Sequence, residues 1–185
     1  MTPTTSPYGA CHWRTTKERQ DALRDFLRTY GDGIPKDAIE KAVEPKALIR
    51  WVERCLRSEP NHLVSAVRYE HTDWYACTVK NLATERGHRG KNLGTEVVSE
   101  AIDRADAEPD CHVLFADITS DNGPSLKVFK DKLSKAHKFT ELEEQFCFEG
   151  GKPPSNMLTL VRFKPGKDGK CHRRTPSPNG GMKSA

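Results

Sequence analysis

LATERGHRGKNLGTEVVSEAIDRA, Leu82–Ala105, holds the turn that decides how the chain folds. From Thr95 onward, Val97, Val98, Ala101, Ile102 and Ala105 fall on one face of a helix. Ahead of that helix, HRGKNLG (His88–Gly94) brings Arg89, Gly90, Lys91 and Gly94 into a short loop. A helix start carries free backbone N–H groups and partial positive charge, so such a loop can hold a phosphate. A plain strand-to-helix turn with basic surface residues has the same composition, and both readings stand at this point.

Working outward, WYACTVKNLATE (Trp74–Glu85) and HLVSAVRYE (His62–Glu70) are rich in Val, Tyr, Trp and Thr. They predict two strands joined as a hairpin across HTD. Downstream, HVLFADI (His112–Ile118) predicts a buried strand, DNGP (Asp121–Pro124) a turn and SLKVFKDKL (Ser125–Leu133) a helix. TELEEQFCFEG (Thr140–Gly150) and NMLTLVRF (Asn156–Phe163) predict two last strands. Upstream, KERQDALRDFLRTY (Lys17–Tyr30) sets Leu23, Phe26, Leu27 and Tyr30 on one helical face, and CHWRT (Cys11–Thr15) predicts a short strand. KDAIEKAVEPKALIRWVERCLRS (Lys36–Ser58) predicts a second helix, broken or bent at Pro45, with Leu48, Trp51, Val52, Cys55 and Leu56 on one stripe. A strand, crossover helix and strand in the middle imply a parallel pair. The expected fold is therefore α/β: a mixed, mostly antiparallel sheet with a central parallel strand pair and flanking helices.

The bulk properties suit one domain of 185 residues, 35% apolar and 30% charged. No stretch reaches the length of a membrane span. The start MTPTTSPYGACHW lacks the basic-then-apolar order of a secretory signal, which places the protein in the cytoplasm. From Lys164 onward six basic residues stand against Asp168, a net of +5, so residues 1–163 carry about −1. The expected organisation is a flexible segment 1–10, a folded domain 11–163 and a basic, disordered tail 164–185. Such a tail could tether the domain to nucleic acid or another anionic partner by counterion release. The six cysteines form no CxxC pair and are expected as reduced thiols, and no metal centre is expected from them or the histidines.

Two nucleotide motifs are excluded. No Gly-Lys-Ser/Thr triplet occurs, and Gly87, Gly90 and Gly94 do not have GxGxxG spacing. What the loop does resemble is the acyl-CoA pyrophosphate loop of the GNAT superfamily of N-acetyltransferases, Q/R-x-x-G-x-G/A. LATERGHRGKNLGTEVVSEAIDRA is similar to that family's fourth strand, loop and third helix. CHVLFADITSDNGPSLKVF is similar to its fifth strand and following turn and helix, and the element order over about residues 11–163 matches.

The resemblance implies an acetyl-CoA co-substrate and an amine acceptor. Arg89 would begin the motif and Gly94 end it, and the N–H groups of Gly90, Lys91, Asn92, Leu93, Gly94 and Thr95 would face the pyrophosphate. Asn122 and Ser125 would line the pantetheine arm and the thioester end. Backbone groups of Leu82, Ala83 and Thr84 would bind pantetheine and polarise the thioester carbonyl from a splayed strand. Two positions depart from the pattern. Asn92 replaces a glycine, which asparagine tolerates because it accepts left-handed backbone angles. Phe129 stands where many members have a tyrosine that protonates the leaving thiolate, which keeps open a non-catalytic acyl-CoA-binding regulator. Glu85 and Asp73 are the first candidates for the base that deprotonates the acceptor, with Glu70 behind them. His62, His71 and His88 cluster around the hairpin and loop in sequence and could also serve as bases near neutral pH. Glu141, Glu143 and Glu144 could attract a cationic acceptor, and the late strands could pair in a homodimer.

Overall fold

The computed structural model describes residues 6–44, 46, 49–73, 75–133, 135–141 and 156–164. Among them seven strands form one sheet in the order β1-β2-β3-β4-β5-β7-β6. In chain order the elements are β1 (Tyr8–Gly9), α1 (Thr16–Tyr30), α2 (Lys36–Val43), β2 (Ile49–Leu56), β3 (Leu63–Asp73), β4 (Ala76–Thr84), α3 (Leu93–Ala107), β5 (Val113–Thr119), α4 (Gly123–Lys127), β6 (Thr140–Glu141) and β7 (Met157–Phe163). All neighbours are antiparallel except β4 and β5. No helix among the described residues is long and apolar enough to cross a membrane.

Local chemistry explains the helices. Thr15 caps α1 by accepting from the Glu18 N–H at 3.0 Å, and the Glu18 carboxylate reaches back to the Arg14 N–H at 2.8 Å. Leu23, Phe26 and Leu27 of α1 then pack with Ile39, Ala42 and Val43 of α2 on one face of the sheet, against Trp51, Leu63, Ala66 and Ala83. On the other face the apolar stripe of α3 lies on Val52, Val67, Tyr69, Val79, Leu114 and Leu160. Each fully buried side chain of this size contributes roughly 1.5–3 kcal/mol of transfer free energy. Arg162 of β7 ties the same helix down through a two-pronged contact with Asp106, at 2.9 and 2.7 Å.

Three expectations are corrected. The stripe from Leu48 to Leu56 is not helical: Ile49–Leu56 is strand β2, laddered to β3. Trp51 and Cys55 face the α1 and α2 side while Val52 faces α3, so both faces are covered. A strand buried on both faces loses strict alternation, and periodicity then fails to separate it from a helix. Cys11–Thr15 is irregular, and the short N-terminal strand is instead Tyr8–Gly9, ahead of the point where sequence reading began the domain. Cys11 and Cys55 are joined in a disulfide, whereas Cys77 and Cys111 are free and buried. The tail beyond Lys164 and the segment Leu142–Gly150, with Glu143 and Glu144, lie outside the described residues.

Candidate active site

The two edges of β4 behave differently. Toward β3 the ladder runs from Asp73↔Ala76 to Ser65↔Thr84. Toward β5 it consists of Ala76↔Val113, Cys77↔Leu114 and Thr78↔Phe115, and then stops although both strands continue. The register shift between Ala66 and Arg68 accommodates an extra β4 residue beside Asn81, whose φ of 56° is left-handed. Such a bulge bends its strand. Beyond Thr78 the strands part, and a cleft of ≈ 440 Å³ opens against Leu82, Ala83 and Thr84.

The loop and the start of α3 form one end of this cleft. Gly90 has φ 79° and Asn92 φ 66°, so both turn through the left-handed region and asparagine adopts the angle inferred for it. Asn92 precedes the helix without capping it by its side chain. The first helical hydrogen bond runs from the Glu96 N–H to the Asn92 carbonyl, at 3.0 Å. The N–H groups of Leu93, Gly94 and Thr95 come before that bond, and all three residues line the cleft. Gly94 lies near Thr84, Val128 and Leu82.

The opposite wall comes from α4 and the single turn of π-helix that follows it, Val128–Lys132. Asn122 Oδ1 accepts from the Ser125 N–H at 3.2 Å and so caps α4. Asn122, Pro124, Ser125, Lys127, Val128 and Lys132 line the cleft. Phe129 does not; it is buried in the α3-side core, edge-on to Phe139 with ring centroids 5.2 Å apart. Of the residues singled out for acyl-CoA, Lys91 alone is absent from the lining and is exposed. Arg89 is there but engaged: Nε donates to the Thr84 carbonyl at 3.0 Å and Nη2 to Asp32 at 3.1 Å, bridging the loop to the end of α1.

Glu85 and Asp73 are not brought together. Asp73 pairs with Ala76 at the far end of β4 from Thr84, about 26 Å along the strand at its usual rise. Glu70 is held by Arg68 at 2.9 Å and Lys80 at 2.8 Å. Glu85 sits behind the cleft wall. Tyr30 and His88 line the cleft. The Tyr30 hydroxyl donates to Glu85 Oε1 at 3.1 Å, and His62 and His88 Nε2 approach Oε2 at 3.0 and 3.6 Å. Burial pushes Glu85 upward, but the bonds from His62 and Tyr30 and the neighbouring imidazole charges outweigh it, leaving the carboxyl below its ordinary range. The same contact with Glu85 raises His62 and Tyr30. His71 lies elsewhere, 3.9 Å from Glu108.

Sequence reading missed Tyr30, Asp32, Lys127, Val128 and Lys132, which come from helices, and for Asp32 the turn after α1, whose role in a cleft has no local signal. Asp117 of β5 was not singled out in the sequence either, and it is not among the residues that line the cleft. Asp117 lies two residues beyond Phe115, the last β5 residue paired with β4, and by alternation with Leu114, Ala116 and Ile118 it is on the sheet face away from α3. Asp117 is exposed, and its Oδ1 accepts from the Thr159 hydroxyl at 2.7 Å. Among the described residues no group of three or more His, Cys, Asp or Glu could hold a metal ion.

A family model described as the acetyltransferase (GNAT) family matches residues 16–133. Among solved structures, an acetyltransferase from Streptococcus agalactiae superposes with a TM-score of 0.63 at 13% identity, covering 85% of this chain and 99% of that one. An acetyltransferase from Bacillus subtilis in complex with CoA gives 0.58 at 15%, covering 84% and 97%. The ribosomal-protein-S18-alanine N-acetyltransferase from Escherichia coli gives 0.58 at 11%, covering 83% and 90%. At these identities the likeness is one of fold. No curated protein matches the sequence.

Proposed function

Because the chain belongs to the GNAT family of acetyltransferases, we propose that it moves an acetyl group from acetyl-CoA to an acceptor amine by direct attack. One observation carries this reading: the β4–β5 ladder ends at Thr78 and Phe115, and the space it leaves is lined by an unlaced strand edge and an uncapped helix start. The donor set suits a phosphorylated thioester. N–H groups of Gly90 and of Asn92–Thr95 suit the pyrophosphate, Lys127 and Lys132 add positive charge, and the β5-facing edge of Leu82–Thr84 suits the pantetheine amides and thioester carbonyl. The cleft volume falls within the usual range for small-molecule sites.

The acceptor nitrogen attacks the thioester carbon, the C–S bond breaks, and the thiolate leaves. An amine near pKa ~10 must first lose a proton. Asp117 is the carboxylate at the parting of the strands, with one oxygen steadied by Thr159. It takes that proton in our reading, while Glu85, reaching the cleft only through Tyr30 and His88, steadies the wall. Phe129 has no proton to give, and a coenzyme A thiolate leaves without one at an ordinary thiol pKa of about 8.5.

Titration calorimetry with acetyl-CoA tests the site, comparing wild type with an Arg89→Glu, Gly94→Asp double variant. Binding abolished in the variant supports the reading; absence of binding in wild type ends it. Binding without release of free thiol across a broad amine panel would favour the non-catalytic regulator, the reading that Phe129 supports.

A further inference from the structure

The N-terminal residues form a strap along the free edge of β2. Tyr8 pairs with Leu56 and Gly9 with Cys55. The Arg57 N–H donates to the Pro7 carbonyl at 2.9 Å, and Arg57 Nε donates to the carbonyls of Ser6 and Tyr8 at 2.7 and 3.0 Å. Further along, Cys11 is bonded to Cys55, and Trp13 Nε1 donates to Glu53 at 2.7 Å. The strap delivers one side chain toward the site. The Tyr8 hydroxyl lies 3.0 Å from His88 Nδ1, and the rings meet edge to face at 5.6 Å. His88 lines the cleft, and its other nitrogen is the one near Glu85. The ring is thus bonded at Nδ1 by Tyr8 from the strap, while Nε2 lies 3.6 Å from Glu85 just past the end of β4.

A two-residue strand is a weak anchor by itself, and the Arg57 contacts to it are exposed. The disulfide is the covalent element of the attachment, joining residues 44 apart in sequence. We propose that Tyr8 is a positioning residue for His88 in the acyl-CoA cleft, and that the Cys11–Cys55 disulfide sets how firmly it does so. This rests on the reading of the cleft as an acyl-CoA site. A small dithiol can open the staple: its thiolate attacks the half-buried Cys11 sulfur, the S–S bond breaks, and the fully buried Cys55 leaves and takes up a proton. The second thiol then closes the reductant's own disulfide, so two electrons pass to the protein and two cysteine thiols result. Reduction leaves the strap on hydrogen bonds alone, and the imidazole on the cleft wall loses a fixed partner. A compartment rich in thiols would hold the protein in its weaker-binding form, an oxidising one in its tighter form.

The test compares acetyl-CoA affinity by calorimetry with and without dithiothreitol, in wild type, Cys11→Ser and Tyr8→Phe, with thiol titration confirming that the bond has opened. Reduction and Cys11→Ser should each weaken binding about three- to tenfold, the scale of one hydrogen bond. Tyr8→Phe should weaken it to the same degree, keep the wild-type melting midpoint, and no longer respond to reduction. A purely structural staple would not give that last result. Equal affinity in the two redox states, or a Tyr8→Phe protein that still responds to reduction, would overturn the proposal while leaving the acyl-CoA reading intact. Absence of acetyl-CoA binding in every form would overturn both.

Discussion

Strand β4 has one laced edge and one open edge. Along β3 it is paired from Ala76 to Thr84, with the bulge at Asn81 absorbing a residue. Along β5 its pairing ends at Thr78. The laced edge holds β4 in place, so the open edge can present backbone groups without unravelling. A buried backbone group left without a partner costs free energy, so an open edge persists only where water or a ligand can satisfy it. The cleft is a gap in a ladder, next to the start of α3, which supplies further donors.

The largest expected effect is at Asp117. If the acceptor enters where the strands part, Asp117→Asn should lower kcat by about 10²–10⁴ while acetyl-CoA affinity stays at the wild-type value. Steady-state kinetics with an accepted amine, beside calorimetry, checks this; a loss below about fivefold would move the base elsewhere.

The bulge supplies the next test. Asn81→Val forces a β-branched residue to a φ of 56° and should cost about 1–3 kcal/mol by denaturant unfolding, whereas Asn81→Gly should stay within ~0.5 kcal/mol. Equal stability of the two would mean that the left-handed turn at Asn81 does not hold the open edge apart.

Phe129→Tyr tests the core behind the far wall of the cleft. The ring is buried against Phe139, so an added hydroxyl should cost about 1–2 kcal/mol and leave kcat unimproved. A clear rise in kcat would show that the hydroxyl reaches the cleft.

The smallest effect concerns the wall behind the laced edge. Glu85 is depressed, so its contribution to stability exists above its ordinary 4.5 and is lost as pH falls through its lowered folded value. His62 is raised, so its contribution is complete below its ordinary 6.5 and is lost as pH rises through its raised folded value. The stability difference between wild type and Glu85→Gln should therefore be greatest between about pH 4.5 and 6.5 and shrink on either side. Thermal melts across that range measure it, and a difference independent of pH would remove the pair as its source.

Much of the molecule was legible in its residues. The stripe of α3, the β3–β4 hairpin and the glycine-bearing loop follow from local preferences, and residues chosen for acyl-CoA line one cleft, Lys91 excepted. Strand β2 was not legible, because Trp51, Val52 and Cys55 are buried on both faces and mimic a helical stripe. Asp117 was hidden for a different reason. In sequence it is one polar residue inside an apolar strand, and only the point where the β4 ladder ends, two residues earlier, draws attention to it as the base in our reading. Tyr30, His62 and His88 converge on Glu85 from three separate segments, and Cys11 meets Cys55 across 44 residues.

By itself the sequence determined the helical face of α3, the glycine-bearing turn before it and the left-handed angle that Asn92 accepts. Those features depend on dihedral preferences and hydrogen bonds spanning a few residues. Only the tertiary structure decided where the β4–β5 ladder stops, which side chains converge on Glu85, and which cysteines meet. Each of these depends on the pairing of distant strands, whose register is set by packing against both faces of the sheet rather than by any residue's own preference.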